Sequence, residues 1–241
     1  MYKTIGIIGG MGPAATVDLF DRIVRLTAAA DDQHHIPILI DNNTRIPDRT
    51  RAIIADEDSP LPEILRSGRR LLAAGADFLI MPCNTAHYYF DEITAALGAP
   101  LLNMLQLTAE RLRRDHVRRA AVLATDGTLA TGIYEQALEA AGVEAMRPTA
   151  AEQRQIMSLI YDYVKSGILD RGRLPETGTR AVAAALRERG AERLILGCTE
   201  LPPAFHAMEM EVGCVDPTRL LAEAAIRTAG AEVRADEPCP R

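Results

Sequence analysis

The chain runs through one order of elements twice. Thr4-Ile5-Gly6-Ile7-Ile8 is a short apolar run rich in β-branched residues, and the loop Gly9-Gly10-Met11-Gly12-Pro13 follows it. From 14 to 30 the pattern turns helical, with Val17, Phe20, Ile23, Val24 and Thr27 on one face. Pro13 suits the first helical position. A second strand candidate, Ile36-Pro37-Ile38-Leu39-Ile40, leads into the polar loop 41–51. A helix over 61–74, the apolar run Phe78-Leu79-Ile80-Met81, a helix over 86–97 and a short strand ending near Leu102 complete the first pass. The second pass opens with the strand Ala120-Ala121-Val122-Leu123-Ala124 and the loop Thr125-Asp126-Gly127-Thr128. A helix through Tyr134, Ala137, Leu138 and Ala141 comes next, then a short strand over 143–146 and helical stretches over 151–164 and 178–189. The strand Arg193-Leu194-Ile195-Leu196, the segment Val212-Gly213-Cys214-Val215 and a helix over 217–229 close it, and 231–241 reads as a frayed tail.

Short strands alternating with amphipathic helices predict an α/β fold with parallel sheets. The opening loops of the two passes, at Gly9 and Thr125, are offset by 116 residues (125 minus 9). The spacing therefore predicts two similar α/β domains from an internal duplication. The first covers 1–103 with 217–241, the second 104–216, and a cleft between them holds the active site. Ligands of open parallel sheets bind beyond the carboxyl ends of the strands, where all the loops named below are expected.

Two cysteines occupy matching places in this scheme. Cys83 lies in Pro82-Cys83-Asn84-Thr85-Ala86-His87 and Cys198 in Gly197-Cys198-Thr199-Glu200, 115 residues apart (198 minus 83). Each follows an apolar run and precedes a helix. A free cysteine is often only a small buried hydrophobe, and Cys214 and Cys239 read that way. The matched placement and polar followers of Cys83 and Cys198 argue for reactive thiols, with a pKa depressed at a helix N-terminus. Two such thiols suggest chemistry on both faces of one substrate atom.

The other candidates are weaker. The loop Gly9-Gly10-Met11-Gly12 lacks the spacing of a dinucleotide fingerprint and any Walker lysine, so it suits a carboxylate at a helix N-terminus better than a nucleotide. Arg45, Arg49 and Arg51 could form a carboxylate fork. Lys165 stands 116 residues beyond Arg49 (165 minus 49), the duplication offset again. His87 could pair with Cys83 for acyl transfer or serve as a cap. Glu200 reads as a charge favouring a helix N-terminus. With net charge −6 and pI near 5.5 the chain shows no footprint for nucleic acid or an anionic membrane. No apolar run approaches the ~20 residues of a membrane span, and Met1-Tyr2-Lys3-Thr4 leads into a strand rather than a signal peptide. Four cysteines without a CxxC predict reduced thiols in the cytoplasm and no metal site.

The segments 9–16, 46–50, 82–87, 123–128 and 196–201 together resemble the aspartate/glutamate racemase family, and within it the aspartate racemase branch, over essentially the whole chain. The resemblance implies a cofactor-independent homodimer that interconverts the enantiomers of a small acidic amino acid. One cysteine thiolate would remove the α-proton while the other thiol delivers one to the opposite face, Cys198 serving the L enantiomer and Cys83 the D. Arg49 and Lys165 would bind the distal carboxylate. Met11, Gly12, Asn84, Thr85, Thr125 and Thr199 are the remaining expected substrate contacts. Two other readings stay open: a related isomerase or decarboxylase of another small carboxylate, and a non-catalytic ligand-binding module.

Overall fold

The structure, a computed structural model, describes residues 2–234. The chain divides into two compact units. The first comprises residues up to Asp48, Asp58–Asn103 and the segment from Thr218 onward; the second comprises Arg49–Glu57 and Met104–Pro217.

In the first unit β1 (Ile5–Gly9) lies between β2 (Ile38–Asn42) and β3 (Phe78–Ile80), all parallel, with Ile7 opposite both Ile40 and Ile80. Leu101 adds a parallel bridge to Leu79 where a short fourth strand was expected. β1 and β3 are buried throughout, which is why they read as unbroken apolar runs rather than alternating ones. The helices are α1 (Pro13–Leu26), α3 (Leu61–Ala73), α4 (Phe90–Leu97) and α11 (Pro217–Ala229). α11 enters from Pro217, and the carbonyl of its Ala229 accepts the Lys3 N–H at 3.0 Å.

The second unit repeats the order. β4 (Arg119–Leu123) lies between β5 (Glu144–Met146) and β6 (Arg193–Leu196), and β7 (Cys214–Val215) extends the sheet beyond β6. All pairs are parallel, with Leu123 opposite Leu196. Its helices are α2 (Arg49–Ile54), α5 (Met104–Arg114), α6 (Asp126–Thr131), α7 (Ile133–Ala140), α8 (Ala150–Ser158), α9 (Glu176–Glu188) and α10 (Leu201–Ala207). α8 carries a complete capping box from Thr149 and Glu152, then runs into a π-helical turn, Leu159–Val164.

Three expectations need correction. The end of the loop expected over 41–51 is helical, α2 running Arg49–Ile54, and residues 49–57 join the second unit, not the first. α2 lies against α6 so closely that a Cβ on Gly127 would meet the Thr50 Cα at 2.8 Å. On α1 the buried face is Ala15, Thr16, Leu19, Ile23 and Leu26, whereas Val17, Phe20 and Val24 face outward, Val17 being 66% exposed. The tail is paired at its start. Val233 bridges Thr27 antiparallel, and Arg234 N–H donates to the Leu26 carbonyl at 2.7 Å. The remainder of that tail, Cys239 included, lies outside the described residues. Among the described residues no helix is long and apolar enough to cross a membrane.

Candidate active site

In the first unit the glycine turn after β1 is set by backbone demands. Gly10 has φ +92°, and its Cα approaches the Asn43 backbone too closely for any side chain. Its N–H donates to Thr16 Oγ1 at 2.9 Å, tying the turn to α1. Met11 is buried by this turn and shares the unit's core cluster with Cys83, while Gly12 is half-buried.

β3 ends at Ile80, and three residues later stands Cys83, 6% exposed. The chain then tightens into a 3₁₀ turn, Thr85–Tyr89, before α4 begins. Asn84, Thr85 and His87 are all buried beside the cysteine. His87 Nδ1 lies 2.8 Å from the Cys83 carbonyl oxygen, and its ring stacks at 6.0 Å on Phe90. Burial pushes the imidazole down to about 4, against the raising influence of the Cys83 and Leu102 backbones. The ring is therefore neutral near pH 7, and as the Nδ1–H tautomer it donates to that carbonyl. Through that bond it ties its ring to the backbone of the turn.

In the second unit the matching turn is charged. Gly197 N–H donates to the Leu123 carbonyl at 2.7 Å, which carries β6 into the turn, and Cys198 follows at 7% exposure. The Cys198 Sγ–H donates to Glu200 Oε2 at 2.9 Å, and the Thr199 hydroxyl donates to the same oxygen at 3.2 Å. Glu200 is itself buried. Burial and then the Glu200 carboxylate push the Cys198 thiol well above the ordinary range, with Lys165 opposing. The depressed pKa expected for this residue is thus reversed: it is a protonated thiol held by a carboxylate.

Lys165 closes the π-helical turn, with its Nζ 4.3 Å from the Tyr161 ring centroid. Burial lowers the ammonium, but Glu200 foremost, then Cys198 and Tyr161, outweigh it, so the group stays above its ordinary value despite the neighbouring Arg49. Arg49 is buried at the start of α2. Thr125 caps α6 by accepting from the Thr128 N–H at 3.3 Å and lies 3.1 Å from its hydroxyl.

The expected site residues therefore fall into two groups. Met11, Gly12, Cys83, Asn84 and Thr85 belong to the first unit. Arg49, Thr125, Lys165, Cys198 and Thr199 belong to the second, where Lys165 interacts electrostatically with both Cys198 and Arg49. Sequence reasoning passed over Tyr161 and gave Glu200 only a helix-end role. The readable signal was the alternation itself: a carboxylate two residues after Cys198 where Cys83 has Thr85. Among the described residues no cluster of three His, Cys, Asp or Glu side chains could hold a metal ion.

The sequence matches the family model for Asp/Glu/Hydantoin racemase over residues 8–225. Among solved structures it is similar to the aspartate racemase of Picrophilus torridus, with 31% identity, TM-score 0.84 and 96% of each chain covered. It is 27% identical to the broad specificity amino-acid racemase RacX of Bacillus subtilis, over 93% of this chain and 97% of that one. A glutamate racemase from Francisella tularensis, solved with D-glutamate, shares the fold at 17% identity and TM-score 0.69, covering 94% of this chain and 80% of that chain.

Proposed function

Because the chain belongs to the Asp/Glu/Hydantoin racemase family, we propose that it racemises a small acidic amino acid, aspartate before glutamate, by proton exchange between two cysteines. Cys83 as thiolate removes the α-proton of one enantiomer while the Cys198 thiol protonates the opposite face. The reverse direction exchanges the roles. Neither pyridoxal phosphate nor a metal takes part, and the working form is a cytoplasmic homodimer.

The observation that carries the reading is the charge around Cys198. A buried thiol is held protonated, and the cations Lys165 and Arg49 act in the same surroundings. A protonated thiol is a proton donor, and two cations suit a substrate with a second carboxylate. The α-proton is very weakly acidic, so the carbanion-like transition state depends on donors fixed in advance around the α-carboxylate. In this reading Asn84, Thr85 and Thr199, with Thr125 and the backbone of Met11 and Gly12, supply them, while Arg49 and Lys165 take the side-chain carboxylate.

Incubating the purified protein with single enantiomers of aspartate and glutamate in deuterated water tests this. Equal amounts of the two hands, with deuterium at the α-carbon, are expected from aspartate. Absence of both racemisation and α-deuteration with every acidic amino acid would sink the reading.

A further inference from the structure

We propose that Glu200 selects the protonation state of the resting enzyme by holding the proton on Cys198, so that the free enzyme waits in the form that accepts one enantiomer. The proposal rests on the two-base reading above and names a residue that acts through Cys198 rather than on substrate.

The argument begins with hydrogen-bond chemistry. An ionised carboxylate can only accept. With Glu200 Oε2 2.9 Å from the Cys198 sulfur, that contact is satisfied only by a thiol. The thiolate would face the carboxylate as a like charge in a buried setting, where screening is poor. Thr199 donates to the same oxygen and keeps it aimed at the sulfur. The other charged and titratable groups of the surroundings are Lys165 and Tyr161 at the π turn, Arg49 on α2, Tyr134 on α7 and Asp216 after β7. Lys165 favours the thiolate, so Lys165 and Glu200 oppose each other over one proton.

A two-base racemase has two free forms. One carries Cys83 thiolate with Cys198 thiol, the other Cys83 thiol with Cys198 thiolate, and each binds the enantiomer whose proton its thiolate faces. Glu200 favours the first form. Enantiomers have equal free energies, so kcat/KM must be equal for the two hands. A bias between the free forms therefore appears as unequal KM values, with kcat compensating. The enantiomer deprotonated by Cys83 has the lower KM.

Glu200→Gln keeps the side chain's shape and removes its charge. Two measurements are made on the full chain. The first is the pH profile of Cys198 alkylation by iodoacetamide, followed on the Cys198 peptide by mass spectrometry, which needs no catalytic activity. The profile is expected to move down by at least about one pH unit, a tenfold faster reaction at a fixed pH below the midpoint. The second is the pair of KM values for D- and L-aspartate, whose ratio is expected to move toward or past unity while kcat/KM stays equal for both hands. An unmoved alkylation profile overturns the proposal, as does an unmoved KM ratio. If Glu200→Gln does not fold, the wild type decides: alkylation of Cys198 with a midpoint at or below the ordinary thiol value of about 8.5 overturns it. A moved profile in a protein whose Cys198→Ser variant still racemises at the wild-type rate would instead overturn the two-base reading and leave Glu200's hold on the thiol standing.

Discussion

The turn after β3 and the turn after β6 close the same strand of the same strand order. One carries Asn84, Thr85 and a neutral His87 beside its cysteine. The other carries Glu200, with Lys165 acting on the same thiol. The repeated scaffold sets where each sulfur stands, at nearly equal exposure. The residues that follow differ, and at Cys198 Glu200 favours the protonated thiol. Two thiols that share one proton in identical surroundings would populate the two free forms equally, so the departure from the repeat is what biases the resting enzyme toward one of them.

Replacing each sulfur in turn tests that comparison most severely. Cys83→Ser and Cys198→Ser should each lose racemisation by about 10²–10⁴-fold, the size of a lost general acid or base. A serine hydroxyl is far too basic when ionised to replace a thiolate, though it can still donate a proton. Each variant should therefore keep slow α-hydrogen exchange in deuterated water with one enantiomer only, and the two variants should keep opposite hands. The same hand from both would leave one cysteine structural and bring the isomerase or decarboxylase reading forward.

His87 offers the next largest effect, and it belongs to the first unit alone. Its folded value near 4 lies below the ordinary 6.5, so the neutral ring is compatible with the fold above pH 6.5. Stability is lost as pH falls from there toward 4, by up to about 3 kcal/mol, because the unfolded chain takes up the proton first. The raised Cys198 and Tyr134 of the second unit have the opposite sign. Their contribution is complete at neutral pH and fades as pH rises above the unfolded values. Urea midpoints of the wild type and of His87→Gln at pH 7 and pH 4.5 check the acid side. The gap between the two proteins should shrink or reverse at the lower pH, and a pH-independent gap would show that the ring titrates normally.

Arg49 tests the charged half from the substrate's side. Arg49→Leu should raise KM for aspartate about 10–100-fold, the loss of a hydrogen bond to a charged group. An uncharged amino acid should be affected much less. Equal effects on both would mean that the arginine supports α2 and does not read the side-chain carboxylate.

How legible this was depended on whether a feature repeats or departs from the repeat. β1, β3, β4 and β6 are buried apolar runs, so their positions and the two strand-end cysteines stood out in the sequence. The helix at 49–54 did not, because a polar arginine-rich segment reads as loop until it is seen against α6, where Gly127 lets the Thr50 backbone approach. α1 misled for another reason. Its apolar residues line both sides, and periodicity alone chose the outward stripe of Val17, Phe20 and Val24. Glu200 was visible as a charge near a helix start, but its bond to Cys198 depends on how the turn folds.

The smallest predicted effect concerns how Lys165 is held. The π-helical turn brings Lys165 over Tyr161 at 4.3 Å, and irregular turns of this kind are frequent at functional sites. A cation over an aromatic face contributes about 0.5–2 kcal/mol. Tyr161→Leu should therefore raise KM for aspartate about fivefold, whereas Tyr161→Phe keeps the ring and should stay within about twofold of wild type. Removing the ring also lets the ammonium move relative to Glu200, so the Cys198 alkylation profile should change in Tyr161→Leu and stay in place in Tyr161→Phe. If both variants lose affinity equally, the hydroxyl carries the effect. If neither does, Glu200 alone positions the lysine, and the second unit's charged turn needs only one carboxylate to hold both its thiol and its cation.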